Sequence, residues 1–81
     1  MLHSEQIRAA RALLGWRQED LAKAAATGLA TIRRLERGRG LVKANVSTMA
    51  KIQGALEKAG IHFNDDDESG EIGVRLQRKR R

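Results

Sequence analysis

Apolar side chains recur at helical spacing through most of the first sixty residues. Ile7, Ala10 and Leu14 stand three and four apart, the period of one buried helix face. Ser4 before them is predicted as the N-cap, with Glu5 in the first turn and Gly15 as a left-handed stop. A second helix is expected from about Gln18 to Ala25, with Leu21, Ala24 and Ala25 inward. Glu19 and Asp20 lie in its first turn, where carboxylates favour the helix dipole. Trp16, just ahead of it, is placed to pack back on Leu21 as a hydrophobic staple rather than to stack on a base. The pattern breaks at Ala26-Thr27-Gly28. A third helix is then predicted from about Leu29 to Arg37, with Ile32 and Leu35 inward and Gly38 closing it. Gly38-Arg39-Gly40 opens a loop to Lys43, after which Asn45 or Ser47 caps a fourth helix. Its inward residues are Met49, Ile52 and Leu56, and Gly60 is its stop.

Beyond Gly60 the period shortens to two. Ile61-His62-Phe63 and Ile72-Gly73-Val74-Arg75-Leu76 alternate as short strands, joined by an acidic loop from Asn64 to Glu71. A two-stranded hairpin is marginal alone, so this one is expected to lie on the helices or to pair with another chain. The organisation expected is therefore a helical unit over residues 1–60, two short strands with an acidic loop over 61–77, and a basic tail over 78–81.

Length changes the picture in one respect. A chain of 81 residues forms one small domain and buries only about 60% of the surface its unfolded form exposes. There is no cysteine, so neither disulfide nor thiolate–metal site can reinforce so small a core. Self-association is the remaining route, and a homodimer is expected. No apolar run approaches the roughly 20 residues of a membrane span. Met1-Leu2-His3-Ser4-Glu5-Gln6 lacks the basic-then-apolar layout of a signal peptide, and the protein is expected to be cytoplasmic, on the nucleoid.

Sixteen basic residues against ten acidic ones give a net charge of +6, with a sequence pI near 10.8. Basic domains attract polyanions, of which nucleic acid is the commonest. Five of the acids are confined to Asp65-Asp66-Asp67-Glu68 and Glu71, so the chain up to Asn64 carries 11 bases against five acids.

The third helix concentrates that charge. With Ile32 and Leu35 inward, its outward stripe is Leu29, Ala30, Arg33, Arg34 and Arg37. A helix of this width enters the DNA major groove with its N-terminal residues toward the base edges. Arginine bonds guanine O6 and N7 in bidentate fashion, and leucine or alanine touches a thymine methyl. A second helix crossing the backbone would present its amide end near Gln18 to a phosphate.

Leu14-Gly15-Trp16-Arg17-Gln18-Glu19-Asp20-Leu21-Ala22, followed by Thr31-Ile32-Arg33-Arg34-Leu35-Glu36-Arg37-Gly38, resembles the Xre/Cro-type helix-turn-helix family of phage-repressor-like regulators. The likeness covers about residues 5–59. It implies a mainly α fold: a bundle of four or five helices, here with a C-terminal β-hairpin added, that binds double-stranded operator DNA, usually as a homodimer. By the same resemblance Leu29, Ala30 and Arg34 fall on base-reading positions, with Arg33 beside them. Gln18, Thr31, Arg37, Arg39 and Lys43 are assigned to phosphates, and Arg11 with Glu36 matches an ion pair tying the first helix to the third. No cofactor or metal is implied.

Three positions depart from the family pattern. The turn, usually Gly-Val-Ser, reads Ala26-Thr27-Gly28. Ala26 therefore falls where a left-handed backbone is common, at a cost of about 1 kcal/mol or more for a residue with a Cβ. Gly28 replaces a capping serine, and Arg17 stands where a capping hydroxyl is frequent.

Other chemistries are poorly supplied. His3 and His62 lack partners at ligand spacing, and Asp65-Asp66-Asp67-Glu68 lacks the pattern of a calcium loop, leaving a solvated turn. One Phe and no Tyr make a poor platform for single strands. No nucleophile with a base, phosphate-cradling glycine loop or metal cluster points to an enzyme. The tail Arg78-Lys79-Arg80-Arg81 either reaches the DNA backbone or minor groove or serves solubility. An alternative function is an antitoxin-like or other partner-binding module that regulates itself through the same DNA-binding unit.

Overall fold

A computed structural model describes residues 2–66 and 69–78. Asp67 and Glu68 of the acidic loop, and Lys79 to Arg81 of the basic tail, lie outside the described residues. Four helices, α1 (Ser4–Leu14), α2 (Gln18–Ala24), α3 (Leu29–Glu36) and α4 (Val46–Lys58), precede two strands, β1 (Ile61–Asp66) and β2 (Glu71–Leu76). Among the described residues no helix is long and apolar enough to cross a membrane.

The N-cap of α1 is His3, not Ser4. Its extended backbone donates its N–H to Gln6 Oε1 at 2.9 Å. Ser4 is unavailable as a cap because its hydroxyl points inward and donates to the Leu35 carbonyl of α3 at 2.7 Å. At the other end Gly15 is left-handed and Trp16 N–H returns to the Arg11 carbonyl at 2.9 Å, a Schellman closure. Trp16 is half-buried against the core.

In α2 the buried residues are Leu21 and Ala22, with Ala25 just beyond its end, whereas Ala24 is exposed. At 100° per residue the buried stripe centres between Leu21 and Ala22, and Ala24 sits roughly 100° from its middle. Asp20 accepts the Arg17 N–H at 2.8 Å, the carboxylate half of a capping box, while the Arg17 side chain makes no cap hydrogen bond in the place of a hydroxyl. Ala26 adopts φ +50°, and Thr27 N–H closes on the Ala22 carbonyl at 2.9 Å. That is the left-handed closure usually given to glycine. The connection to α3 is thereby fixed in two residues.

Gly28 caps α3 without a side chain, and the helix ends at Glu36, one residue before the expected limit. Asn45 is the cap of α4, its Oδ1 accepting the Thr48 N–H at 2.7 Å. Ile7 and Ala10 of α1, Leu21, Ile32, Leu35, Ile52 and Leu56 meet in one core, which Leu2 and Ile61 close at its edges.

Gly60 turns the chain from α4 into β1 at φ +109°. A Cβ there would stand 2.7 Å from the Gln77 carbonyl, and its own carbonyl accepts the Gln77 N–H at 2.9 Å. The antiparallel register pairs Ile61 with Leu76, Phe63 with Val74 and Asp66 with Glu71. Both strands outrun the alternating apolar pattern, β1 by three residues and β2 by one. Backbone pairing carries them through the polar stretch, since the ladder is indifferent to side-chain polarity. The hairpin lies on α1: buried Gln6 donates its side-chain amide to the carbonyls of Asn64 (3.1 Å) and Gly73 (3.0 Å). A buried amide with both protons bonded in this way fixes one docking of hairpin on helix.

Candidate nucleic-acid interface

On α3 the inward positions are Ile32, Leu35 and Glu36, while Ala30, Arg33 and Arg34 are exposed, as is Arg37 just beyond the helix. Leu29 departs from the expected outward face. It is half-buried and packs on the core, because three residues before Ile32 places it only about 60° from that side chain. Thr31 is likewise half-buried, so the fully open surface of the helix is Ala30 followed by arginines.

The loop after α3 brings further cations to the same side. Arg34, Arg37, Arg39 and Lys43 line one shallow concavity whose floor is Ser4, Leu35 and Val42. Arg34 Nη1 donates to the Lys43 carbonyl at 3.3 Å, linking helix to loop. Among the described residues no carboxylate pairs with Arg33, Arg34, Arg37, Arg39 or Lys43. Four cations around the concavity, with Arg33 on the open face of α3 beside them, create a positive potential that an anionic ligand relieves.

Behind this face is a polar brace. Arg11 grips Glu36 in bidentate fashion, Nε to Oε2 at 2.7 Å and Nη2 to Oε1 at 2.8 Å. Its Nη1 also holds the Trp16 carbonyl at 2.9 Å. Glu36 is only 4% exposed, and its hydrogen bonds to the guanidinium raise the Arg11 pKa above the ordinary value. Gln18 joins it, donating Nε2 to Glu36 Oε1 at 3.3 Å. The first residue of α2 and the last of α3 are thus connected through one carboxylate.

Three further residues of this brace lie outside the site residues expected from sequence. Ser4 holds the Leu35 carbonyl. Arg8 Nη1 donates to the Glu36 carbonyl and, at 2.8 Å, to that of Gly38. Glu5 Oε1 accepts the Gly40 N–H at 2.9 Å, and this bond holds the Glu5 carboxyl below its usual pKa. A signal was present: Glu5, Arg8 and Arg11 recur at intervals of three, a polar stripe on one side of a helix. The partners of Ser4, Glu5 and Arg8, 28 to 35 residues away, were not legible locally.

A short turn joining two helices, the second of them presenting exposed arginines outward, defines a DNA-binding protein of the helix-turn-helix class. A helix-turn-helix family model matches residues 7–59, and the chain belongs to that family, of the Xre/Cro type. It is a DNA-binding helix-turn-helix regulator. A search of curated proteins finds none that matches the chain.

Proposed function

We propose that the chain is a homodimeric transcriptional regulator that places α3 in the major groove of a palindromic operator. The observation that carries this reading is the convergence of Arg34, Arg37, Arg39 and Lys43 on one concavity beside the open face of α3. Arg33 and Arg34 take base edges, with Ala30 close enough to the groove floor to meet a thymine methyl. Leu29, partly given over to the core, offers only its remaining surface. Arg37, Arg39 and Lys43 hold phosphates from the loop side. Gln18 and Thr31 do so from the two helix N-termini, where backbone amides favour an anion.

The C-terminal hairpin is the proposed dimer contact. Ile72 lies on the same side of β2 as Val74 and Leu76, yet it stays 42% exposed where they pack on the core. That leaves an apolar extension, with open strand edges, for a second copy to cover. Two protomers would then set their recognition helices roughly 34 Å apart, one turn of DNA.

Selection of genomic fragments by the purified protein at near-physiological salt, followed by footprinting of the best fragment, tests the reading. A protected inverted repeat with half-sites about one helical turn apart is expected. Equal retention of all fragments, released steeply by salt, would show charge-driven association without sequence readout and would sink it.

A further inference from the structure

We propose that the first two turns of α1 clamp the loop between α3 and α4 into the shape that presents its cations to DNA phosphates, with Glu5 as the positioning residue. The proposal rests on the DNA reading above and adds a part to it.

The clamp is built on Gly40. This residue is left-handed, φ +82°, and adjacent residues of α1 hold both of its backbone polar groups. Glu5 Oε1 accepts its N–H at 2.9 Å, and Ser4 N–H donates to its carbonyl at 2.9 Å. The grip continues on either side. Before it, Arg8 holds the Gly38 carbonyl at 2.8 Å. After it, His3 and Leu41 form an antiparallel bridge, and Val42 N–H reaches the Leu2 carbonyl at 2.9 Å. Arg39 stands between the two glycines that are held, and Lys43 follows the bridge directly.

Apolar packing cannot supply this order. Arg37, Gly38 and Arg39 are exposed, and Leu41 is 49% exposed. A loop with two glycines and almost no buried side chain is soft unless hydrogen bonds fix it. Cations on a soft loop must be ordered on binding, and that ordering subtracts from affinity. Glu5 is also an anion placed among phosphate-binding cations, where charge alone would weaken DNA binding. Its hydrogen bond to Gly40 gives it a purpose there.

Two variants of equal charge separate the bond from the charge. Glu5→Gln removes the charge and keeps a side-chain acceptor; Glu5→Ala removes both. Amide hydrogen exchange is read at Gly40, and affinity for a random-sequence duplex is read across a salt series, in the full chain well below its melting temperature. Glu5→Gln is expected to keep the Gly40 protection of the wild type. Glu5→Ala is expected to lose about tenfold in protection at Gly40, with amides of α4 unchanged. The duplex should bind about fivefold more weakly to Glu5→Ala than to Glu5→Gln. If the wild type binds and the two variants exchange and bind alike, the clamp is overturned and the DNA reading stands. If the wild type binds no duplex, the DNA reading falls, and the role assigned to the clamp falls with it. Should Glu5→Ala fail to fold, Glu5→Leu, which also lacks an acceptor, gives the same comparison with Glu5→Gln at equal charge.

Discussion

Ala26 is a residue in a conformation that suits another residue. Its φ of +50° brings Cβ close to the following carbonyl, a strain of about 1 kcal/mol or more that glycine does not bear. The closure is nonetheless made, because Thr27 N–H reaches the Ala22 carbonyl at 2.9 Å and Thr27 Oγ1 donates to the Ala25 carbonyl at 3.1 Å. Tertiary placement of Ala25 in the core and of α3 beyond the turn fixes the geometry, and the side chain endures it. Ala26→Gly is therefore expected to stabilise the fold by roughly 0.5–1 kcal/mol, the released strain less the extra entropy glycine loses on folding. Urea denaturation followed by circular dichroism measures it, and an unchanged or lower midpoint would mean that the strain is relaxed elsewhere. Single positions of this kind were legible in sequence when their cause was local. Ala26 stood out because its neighbours define a turn. Ser4 was misjudged as a cap because the carbonyl it serves is 31 residues away.

At the scale of elements, periodicity placed all four helices, and the differences lie at their edges. Leu29 sits on the border between the core and open faces of α3, and a wheel drawn from two inward residues cannot settle a border position. The strands were underestimated because alternation shows only the apolar half of a ladder, and backbone pairing runs on to Asp66 opposite Glu71. Docking of the hairpin on α1 through Gln6 was not legible at all, since a glutamine on a helix ordinarily reads as solvent-facing. The site divides along elements too. Arg33 lies on α3 outside the concavity, Arg34 borders it and bonds the Lys43 carbonyl, and Arg39 belongs to the loop. Base-reading and phosphate-holding roles predict different signatures. Arg33→Ala and Arg34→Ala should each cost about 1–3 kcal/mol on the selected operator and relax preference at one base pair. Arg39→Ala should weaken operator and random duplex alike. Competition binding on a panel of operators mutated one base pair at a time distinguishes them. If Arg34→Ala lowers every affinity equally, its bond to the Lys43 carbonyl has placed it with the loop, and Arg33 is left as the reader.

Taken as a whole, the molecule has one charged side and one short of a neighbour. The loop cations proposed for phosphates, Arg37, Arg39 and Lys43, are three per chain. Each phosphate neutralised by a cation releases condensed counterions, with a slope of log K against log salt near −0.9 per contact. A monomer with three contacts would thus give a slope of roughly −2.7, and a dimer on two half-sites roughly −5.4. The salt series therefore reads stoichiometry and contact assignment together. In the dimer Arg39→Ala is expected to flatten the slope by about 1.8, since the contact is lost twice. Ile72→Lys, at an exposed position of the hairpin, should leave the helical core intact, halve the mass seen by light scattering and bring the slope toward the monomer value. A variant that still scatters as a dimer would move the contact away from the hairpin, with α4 as the next surface to alter. A wild-type slope near −2.7 on an operator that footprints as two half-sites would contradict the loop assignment instead. Half the expected phosphates would then be held by neutral donors such as Gln18 and Thr31, and the cationic concavity would owe its charge to something other than DNA.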